Sequence, residues 1–150
     1  MKTIKVRDAI LIMCYFLFTS MFLYAAVFKL INFQVFSQQM KSQPFDPRFA
    51  AFLAWFIPIS EIGLSIMMMT IKFRKPGIYL STLLMVSFTI YIILIQSHFF
   101  NTIPCSCGGI ITNLTWTQHL FFNLFYLLLG ITAIYLEQSF KHPQINENEK

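Results

Sequence analysis

The chain has 150 residues, and 57% of them carry hydrophobic side chains. Its charged side chains, 11 Lys or Arg and 6 Asp or Glu, make up 11% of the residues, against about 25% in ordinary soluble domains. This composition excludes a conventional soluble core, a collagen-like or low-complexity chain, and a water-soluble nucleic-acid binder, and it predicts an integral membrane protein.

The gaps between charged residues set the number of membrane-spanning helices. Charges are absent from residues 9–28 and 76–136, and residues 49–71 hold only Glu61. A helix crosses the roughly 30 Å hydrocarbon core with about 20 residues, so the long gap at 76–136 has room for two spans. The sequence predicts one all-α, four-helix membrane domain at residues 1–136, with spans at about 9–31, 50–71, 78–97 and 116–136, and a polar tail at 137–150.

The first predicted span follows a basic start formed by Lys2, Lys5 and Arg7. A secretory signal peptide is an alternative, but the apolar run is long and continues past residue 26, which favours a retained membrane helix. Cys14 lies in this run and is expected to pack as a small hydrophobe. Lys29 lies toward the far end, where its long stem either snorkels to the interface or brings the ammonium to a partner.

Residues 32–49 connect the first two spans. Phe33, Phe36 and Met40 recur at helical spacing within this connection. The stripe predicts either a short amphipathic helix along the membrane surface or an extension of the first span.

Glu61 is the charged residue of the second span. It lies about twelve residues past the start of that span, roughly 18 Å deep by helical rise, and therefore close to the bilayer midplane. A charged group there is costly, so Glu61 is expected either to be protonated and hydrogen-bonded or to have a functional partner. Lys29 is the candidate partner if the first helix extends to about Phe36.

Basic residues also fill the turn before the third span, at Lys72, Arg74 and Lys75. Because positive loops stay in the cytoplasm, this turn and both termini are predicted to be cytoplasmic. The connections at 32–49 and 99–115 are then predicted to face the periplasmic side of a bacterial inner membrane.

Cys105 and Cys107 lie in the connection between the third and fourth spans, where Pro104 and two glycines favour irregular backbone. Disulfides persist on the oxidising side of the membrane, and a strained one is readily reduced. The Cys-x-Cys pair therefore favours a redox-active disulfide, with two alternatives. One is a structural staple, and the other is a metal site with His98 or His119, for which the chain offers few ligands.

The number of cysteines limits this redox chemistry. With one pair on the outer side, the chain can exchange with a thioredoxin-like or other disulfide-containing extracytoplasmic protein, or pass electrons directly to a quinone in the bundle. It cannot perform both steps through cysteines alone.

Polar residues also begin the fourth span. His119 and Asn123 are spaced i, i+4 and therefore share one helix face. Either they form hydrogen bonds between helices, or His119 stabilises a thiolate and shuttles its proton. His98, at the end of the third span, is a weaker candidate for the same role.

Several of these features occur together in one family. The chain resembles the MauE branch of the DoxX-like membrane proteins over about residues 8–136, and the resemblance lies in five motifs: Phe28-Lys29-Leu30, Pro58-x-x-Glu61, Pro76-Gly77, Pro104-Cys-Ser-Cys-Gly-Gly109 and Trp116-x-x-His119-x-x-x-Asn123. The resemblance implies a four-helix inner-membrane protein associated with redox processes, including maturation of the disulfide-rich small subunit of methylamine dehydrogenase.

Two functions of different classes remain open from the sequence. The first is a membrane thiol-disulfide oxidoreductase that acts through Cys105 and Cys107, with assistance from His119. The second is a non-enzymatic accessory or scaffold subunit in which the Cys-x-Cys pair only staples a connection. Neither hypothesis fixes the oligomeric state.

Overall fold

Five helices form the described part of the chain. The computed structural model describes residues 2–44, 46–97 and 115–139. Its helices are α1 (Lys2–Ile31), α2 (Phe33–Lys41), α3 (Pro47–Met69), α4 (Arg74–Gln96) and α5 (Trp116–Ser139). Four of them contain segments long and apolar enough to cross a membrane: Val6–Ile31, Pro47–Met69, Arg74–Gln96 and Thr117–Ser139. The predicted all-α membrane fold with four spans is confirmed.

Local chemistry explains where α3 and α4 begin. The Asp46 carboxylate accepts the backbone N–H of Arg48 at 2.9 Å, and Pro47 occupies the first helical position, where no N–H is needed. These residues start α3 three residues before the predicted boundary at 50. In α4, Pro76 is accommodated within the first turn, so Arg74 and Lys75 belong to the helix and the turn before it is residues 70–73.

The four long helices run alternately up and down. Helix α1 packs against α3 and α5, and α4 packs against the same two helices. We call the end with residues 70–73 the Thr70 end, and the end where α4 stops the Ser97 end. The core includes Phe18 and Phe22 of α1 and Tyr126 of α5. The rings of Phe18 and Tyr126 meet edge to face at 5.5 Å, an arrangement that favours close packing of aromatic rings.

Two glycines allow close helix contacts. A Cβ at Gly77 would lie 3.1 Å from the Met68 side chain across the turn, and a Cβ at Gly130 would lie 2.4 Å from Thr82 Oγ1. The second contact brings the backbone of α5 against α4. Small residues commonly permit such approaches between membrane helices.

The connection predicted at residues 32–49 is largely helical. Asn32 interrupts α1, and its side-chain amide donates to the Phe28 carbonyl at 3.0 Å, a local bond that competes with regular helix. The chain then continues as α2, whose buried Phe36 and Met40 pack against α3. The amphipathic stripe therefore covers the neighbouring helix.

Candidate functional site

A buried ion pair joins α1 to α3. Lys29, in the last turn of α1, donates from Nζ to Glu61 Oε1 at 2.5 Å. The exposed fractions are 9% for Lys29 and 2% for Glu61. The pairing considered from the sequence is thus present although α1 ends at Ile31, because α1 and α3 are packed together. Lys29 is buried in the bundle and does not snorkel to its surface.

Helix α2 lies close to this ion pair. The Lys29 ammonium is 5.9 Å from the centre of the Phe36 ring, a distance at which a cation and an aromatic ring attract. Phe36 and Met40 are seated against Ala50 and Ala54, which are almost completely buried. The small side chains of α3 thus let α2 pack closely beside the Lys29–Glu61 pair.

A second contact fastens this region to α4. Gln43, two residues beyond α2, accepts a hydrogen bond from the Tyr91 hydroxyl through its side-chain oxygen. The segment that follows α2 is therefore held by α4, while α2 itself is held by α3.

One carboxylate oxygen of the ion pair keeps unused acceptor capacity. Glu61 Oε2 is buried and has no hydrogen-bond partner among the residues that the structure describes. Leaving a buried polar atom unsatisfied costs about 1–3 kcal/mol. A site shaped only for stability would not favour this arrangement, which makes Glu61 a candidate functional residue.

His119 and Asn123 lie in the first two turns of α5, at the Ser97 end. His119 is half-buried, and its Nε2 atom has no hydrogen-bond partner in the described ranges. Asn123 follows one turn later on the same face and is 7% exposed. An imidazole in this position retains a nitrogen that can accept or donate a proton.

The start of α5 is fixed by a reciprocal cap. The backbone N–H of Thr115 donates to Gln118 Oε1 at 2.9 Å, and the Gln118 N–H donates to Thr115 Oγ1 at 3.4 Å. The His119 N–H donates to the Thr115 carbonyl at 3.0 Å. Such a capping box fixes the helix start, and hence the position of His119 relative to Thr115.

Of the remaining cysteines and histidines considered from the sequence, only Cys14 lies within the described residues. Cys105, Cys107 and His98 lie outside the described residues, so His119 is the one described member of the metal site considered from the sequence. Within residues 2–44, 46–97 and 115–139, no cluster of three or more His, Cys, Asp or Glu side chains is arranged to hold a metal ion. Cys14 is 1% exposed and packs in the core.

A second charged cluster, absent from the predicted sites, lies at the Thr70 end. Glu137 is 4% exposed, accepts the Tyr15 hydroxyl at 3.0 Å, and lies 2.9 Å from Lys75 Nζ and 3.8 Å from Arg74 Nε. The Arg74 guanidinium also lies 5.7 Å from the Tyr15 ring centre. Glu137 was expected to begin the polar tail, but α5 extends to Ser139 and places it in the bundle.

These features define a helical membrane protein with an ion pair buried between two of its spans. The family model described as methylamine utilisation protein MauE matches residues 7–136. The chain belongs to this family, and the predicted resemblance to MauE is confirmed. No curated protein and no solved structure matches the chain.

Proposed function

We propose that the protein is an inner-membrane thiol-disulfide exchange protein that supports the maturation of an extracytoplasmic partner. Cys105 and Cys107 are the exchanging pair, and His119 assists the thiolate. The observation that carries the proposal is the half-buried His119, with an unpartnered Nε2 among the described residues, in the first turn of α5.

Chain connectivity links His119 to the cysteines. Helix α4 ends and α5 begins at the Ser97 end, so the segment that carries both cysteines joins the bundle immediately before the helix of His119. From Thr115 to His119 the helix rises only about 6 Å. His119 therefore lies about one helical turn from the point where the cysteine-carrying segment joins α5, which supports a role for the imidazole in thiol chemistry.

The proposed exchange starts from a Cys105–Cys107 disulfide and a partner with two thiols. One partner thiolate attacks a sulfur of the pair, which forms a mixed disulfide and releases the other cysteine as a thiolate. His119 supplies a proton to that leaving thiolate. The second partner thiol then attacks the mixed disulfide, so the partner becomes oxidised and the pair gains two electrons and two protons.

Lys29 and Glu61 have a supporting role in this proposal. They organise the packing of α1 against α3 beside α2, and Glu61 Oε2 remains available to a hydrogen-bond donor. A thioredoxin-like protein or a membrane quinone is the class of acceptor that would restore the disulfide, because the sequence contains no second outward-facing cysteine pair.

The redox state of the three cysteines tests the proposal. Membranes equilibrated across a series of thiol-disulfide buffers are treated with a maleimide that shifts the protein mass for every reduced thiol. We expect Cys105 and Cys107 to change state together in a two-electron transition, while a Cys14→Ala variant shows the same transition. If neither outward thiol changes state between oxidising and mildly reducing buffers, the exchange function is wrong.

A trapping experiment separates exchange from a scaffold role. Single variants Cys105→Ser and Cys107→Ser should accumulate a mixed disulfide with the partner, identifiable by mass spectrometry. His119→Gln should slow exchange about 100-fold, the usual lower range for a lost acid-base group, while Thr117→Ala, exposed on the same turn, should not. A double Cys105→Ser and Cys107→Ser protein that keeps full cellular function would favour the accessory subunit instead.

A further inference from the structure

A groove lies between α3 and α4, and all the residues that line it belong to these two helices. Its volume is about 410 Å³, and its walls include Ser60, Gly63 and Met67 of α3 and Leu80, Leu83 and Ser87 of α4. All of these residues lie within the two membrane-spanning segments. The groove therefore lies within the membrane-spanning part of the bundle.

Gly63 borders open space in the groove. A Cβ at this position would have no atom within 4 Å. The two serine hydroxyls are used within their own helices, where Ser60 donates to the Ile57 carbonyl at 2.7 Å and Ser87 to the Leu83 carbonyl at 3.0 Å. The walls are thus suited to an apolar occupant.

The α3 wall of the groove is about as long as one leaflet of a bilayer is thick, while its α4 wall, from Leu80 to Ser87, is about 10 Å long. Its α3 wall extends from Phe56 to Met67, which is about 16 Å by helical rise. One leaflet contributes half of the roughly 30 Å hydrocarbon core. An extended acyl chain that lies along the helices therefore fits along the α3 wall.

Positive charge lies where the groove approaches the membrane surface. The turn at residues 70–73 joins the two helices that form the walls, and its Lys72 is exposed five residues after Met67. The Lys72 ammonium lies 5.6 Å from the centre of the Phe73 ring. Arg74 and Lys75 follow directly, and both approach Glu137. The turn that joins the wall helices thus carries one exposed lysine, Lys72.

We infer that this groove binds an anionic phospholipid, with one acyl chain between α3 and α4 and the phosphate near Lys72. The combination of an apolar groove, one wall of which has leaflet length, with a cation at its surface end complements both parts of such a lipid. Basic residues beside grooves between membrane helices attract anionic headgroups in this way. The inference is independent of the thiol chemistry, so its failure would leave the proposed function untouched.

Lipid titration of the purified, delipidated full chain tests the site. Native mass spectrometry measures binding of dioleoyl phosphatidylglycerol and, separately, of dioleoyl phosphatidylcholine. We expect the anionic lipid to bind more tightly. Lys72→Gln should weaken phosphatidylglycerol binding about fivefold, the equivalent of the about 1 kcal/mol that one basic residue contributes near a membrane surface, and should leave phosphatidylcholine binding unchanged.

Two further variants test the groove itself and control for the loss of a positive charge. Gly63→Leu places a side chain in the groove, where a Cβ meets no atom within 4 Å, and should weaken binding of both lipids, while helix content measured by circular dichroism stays the same. Lys41→Gln, exposed at the opposite end, should have no effect.

Three outcomes would overturn the inference. In the first, Lys72→Gln weakens lipid binding no more than Lys41→Gln does. In the second, both lipids bind Gly63→Leu as tightly as the parent. In the third, Gly63→Leu converts a dimer to a monomer, which would assign the groove to a second copy of the chain.

Discussion

At the level of single residues, the Lys29–Glu61 pair is a costly feature of the core. Both side chains are removed from solvent, and each charge loses hydration worth several kcal/mol that their mutual attraction only partly returns. The pair also leaves Glu61 Oε2 without a donor among the described residues. Removing one partner would leave the other charge buried alone, whereas removing both would relieve the whole cost.

This difference gives a prediction for stability. Glu61→Leu or Lys29→Met alone should each lower the free energy of unfolding by about 3–5 kcal/mol, the usual cost of breaking a buried ion pair. The double variant should be more stable than either single variant. Unfolding in mixed micelles with increasing dodecyl sulfate measures all four proteins of the cycle.

The matched control for this cycle is Ile59→Leu, on the same helix and mostly exposed, which should change stability by no more than about 0.5 kcal/mol. Additive losses in the double variant would show that the two side chains are energetically independent. That result would contradict the prediction.

The same residues show how far the sequence could predict the site. Lys29 and Glu61 interrupt long uncharged runs, so both could be recognised as exceptional, and their approximate depths suggested the pairing. Tyr15 and Glu137 are separated by 122 positions, and neither stands out locally. Their contact depends on how α1, α4 and α5 meet, which charge spacing does not encode.

At the level of elements, the contact between α4 and α5 depends on Gly130. A methyl group at this position would fall 2.4 Å from Thr82 Oγ1 and 3.0 Å from its Cγ2. Gly130→Ala should therefore destabilise the bundle by about 1–3 kcal/mol, as is usual for overpacking, although alanine is the better helix former. Thermal unfolding in detergent measures the change.

A second glycine of a membrane span offers the control. Gly63→Ala meets no atom within 4 Å, so it should leave stability unchanged or raise it by up to about 1 kcal/mol. Combining Gly130→Ala with Thr82→Ala should recover part of the loss, since the hydroxyl and methyl groups of Thr82 are removed. If Gly130→Ala is no less stable than Gly63→Ala, the close approach of the two helices is not important for stability.

For helix α2, the sequence pattern predicted the helix but not the surface against which it packs. Its apolar stripe indicated an amphipathic helix, because Phe33, Phe36 and Met40 share one face. The pattern could not distinguish lipid from protein as the surface that this face covers. In the structure this face covers protein, because the small side chains of Ala50 and Ala54 let α2 pack directly on α3.

At the level of the whole molecule, charges concentrate at the Thr70 end. Lys72 is exposed there, while Arg74 and Lys75 surround the buried Glu137. These contacts join α4 to α5, and the Tyr15 hydroxyl adds α1 to the same cluster. Arg74 and Lys75, two of the basic residues from which the orientation is predicted, therefore also take part in a cluster that joins three helices.

The positive-inside rule predicts that the Thr70 end faces the cytoplasm. In a background with Cys14→Ala, Cys105→Ser and Cys107→Ser, a single Lys41→Cys should react with a membrane-impermeant maleimide in intact cells. A single Lys72→Cys should react only after permeabilisation, because both positions are exposed but lie at opposite ends. The reverse pattern would place the Ser97 end in the reducing cytoplasm, where a stable Cys105–Cys107 disulfide is not expected, and would remove the basis for thiol exchange with an extracytoplasmic partner.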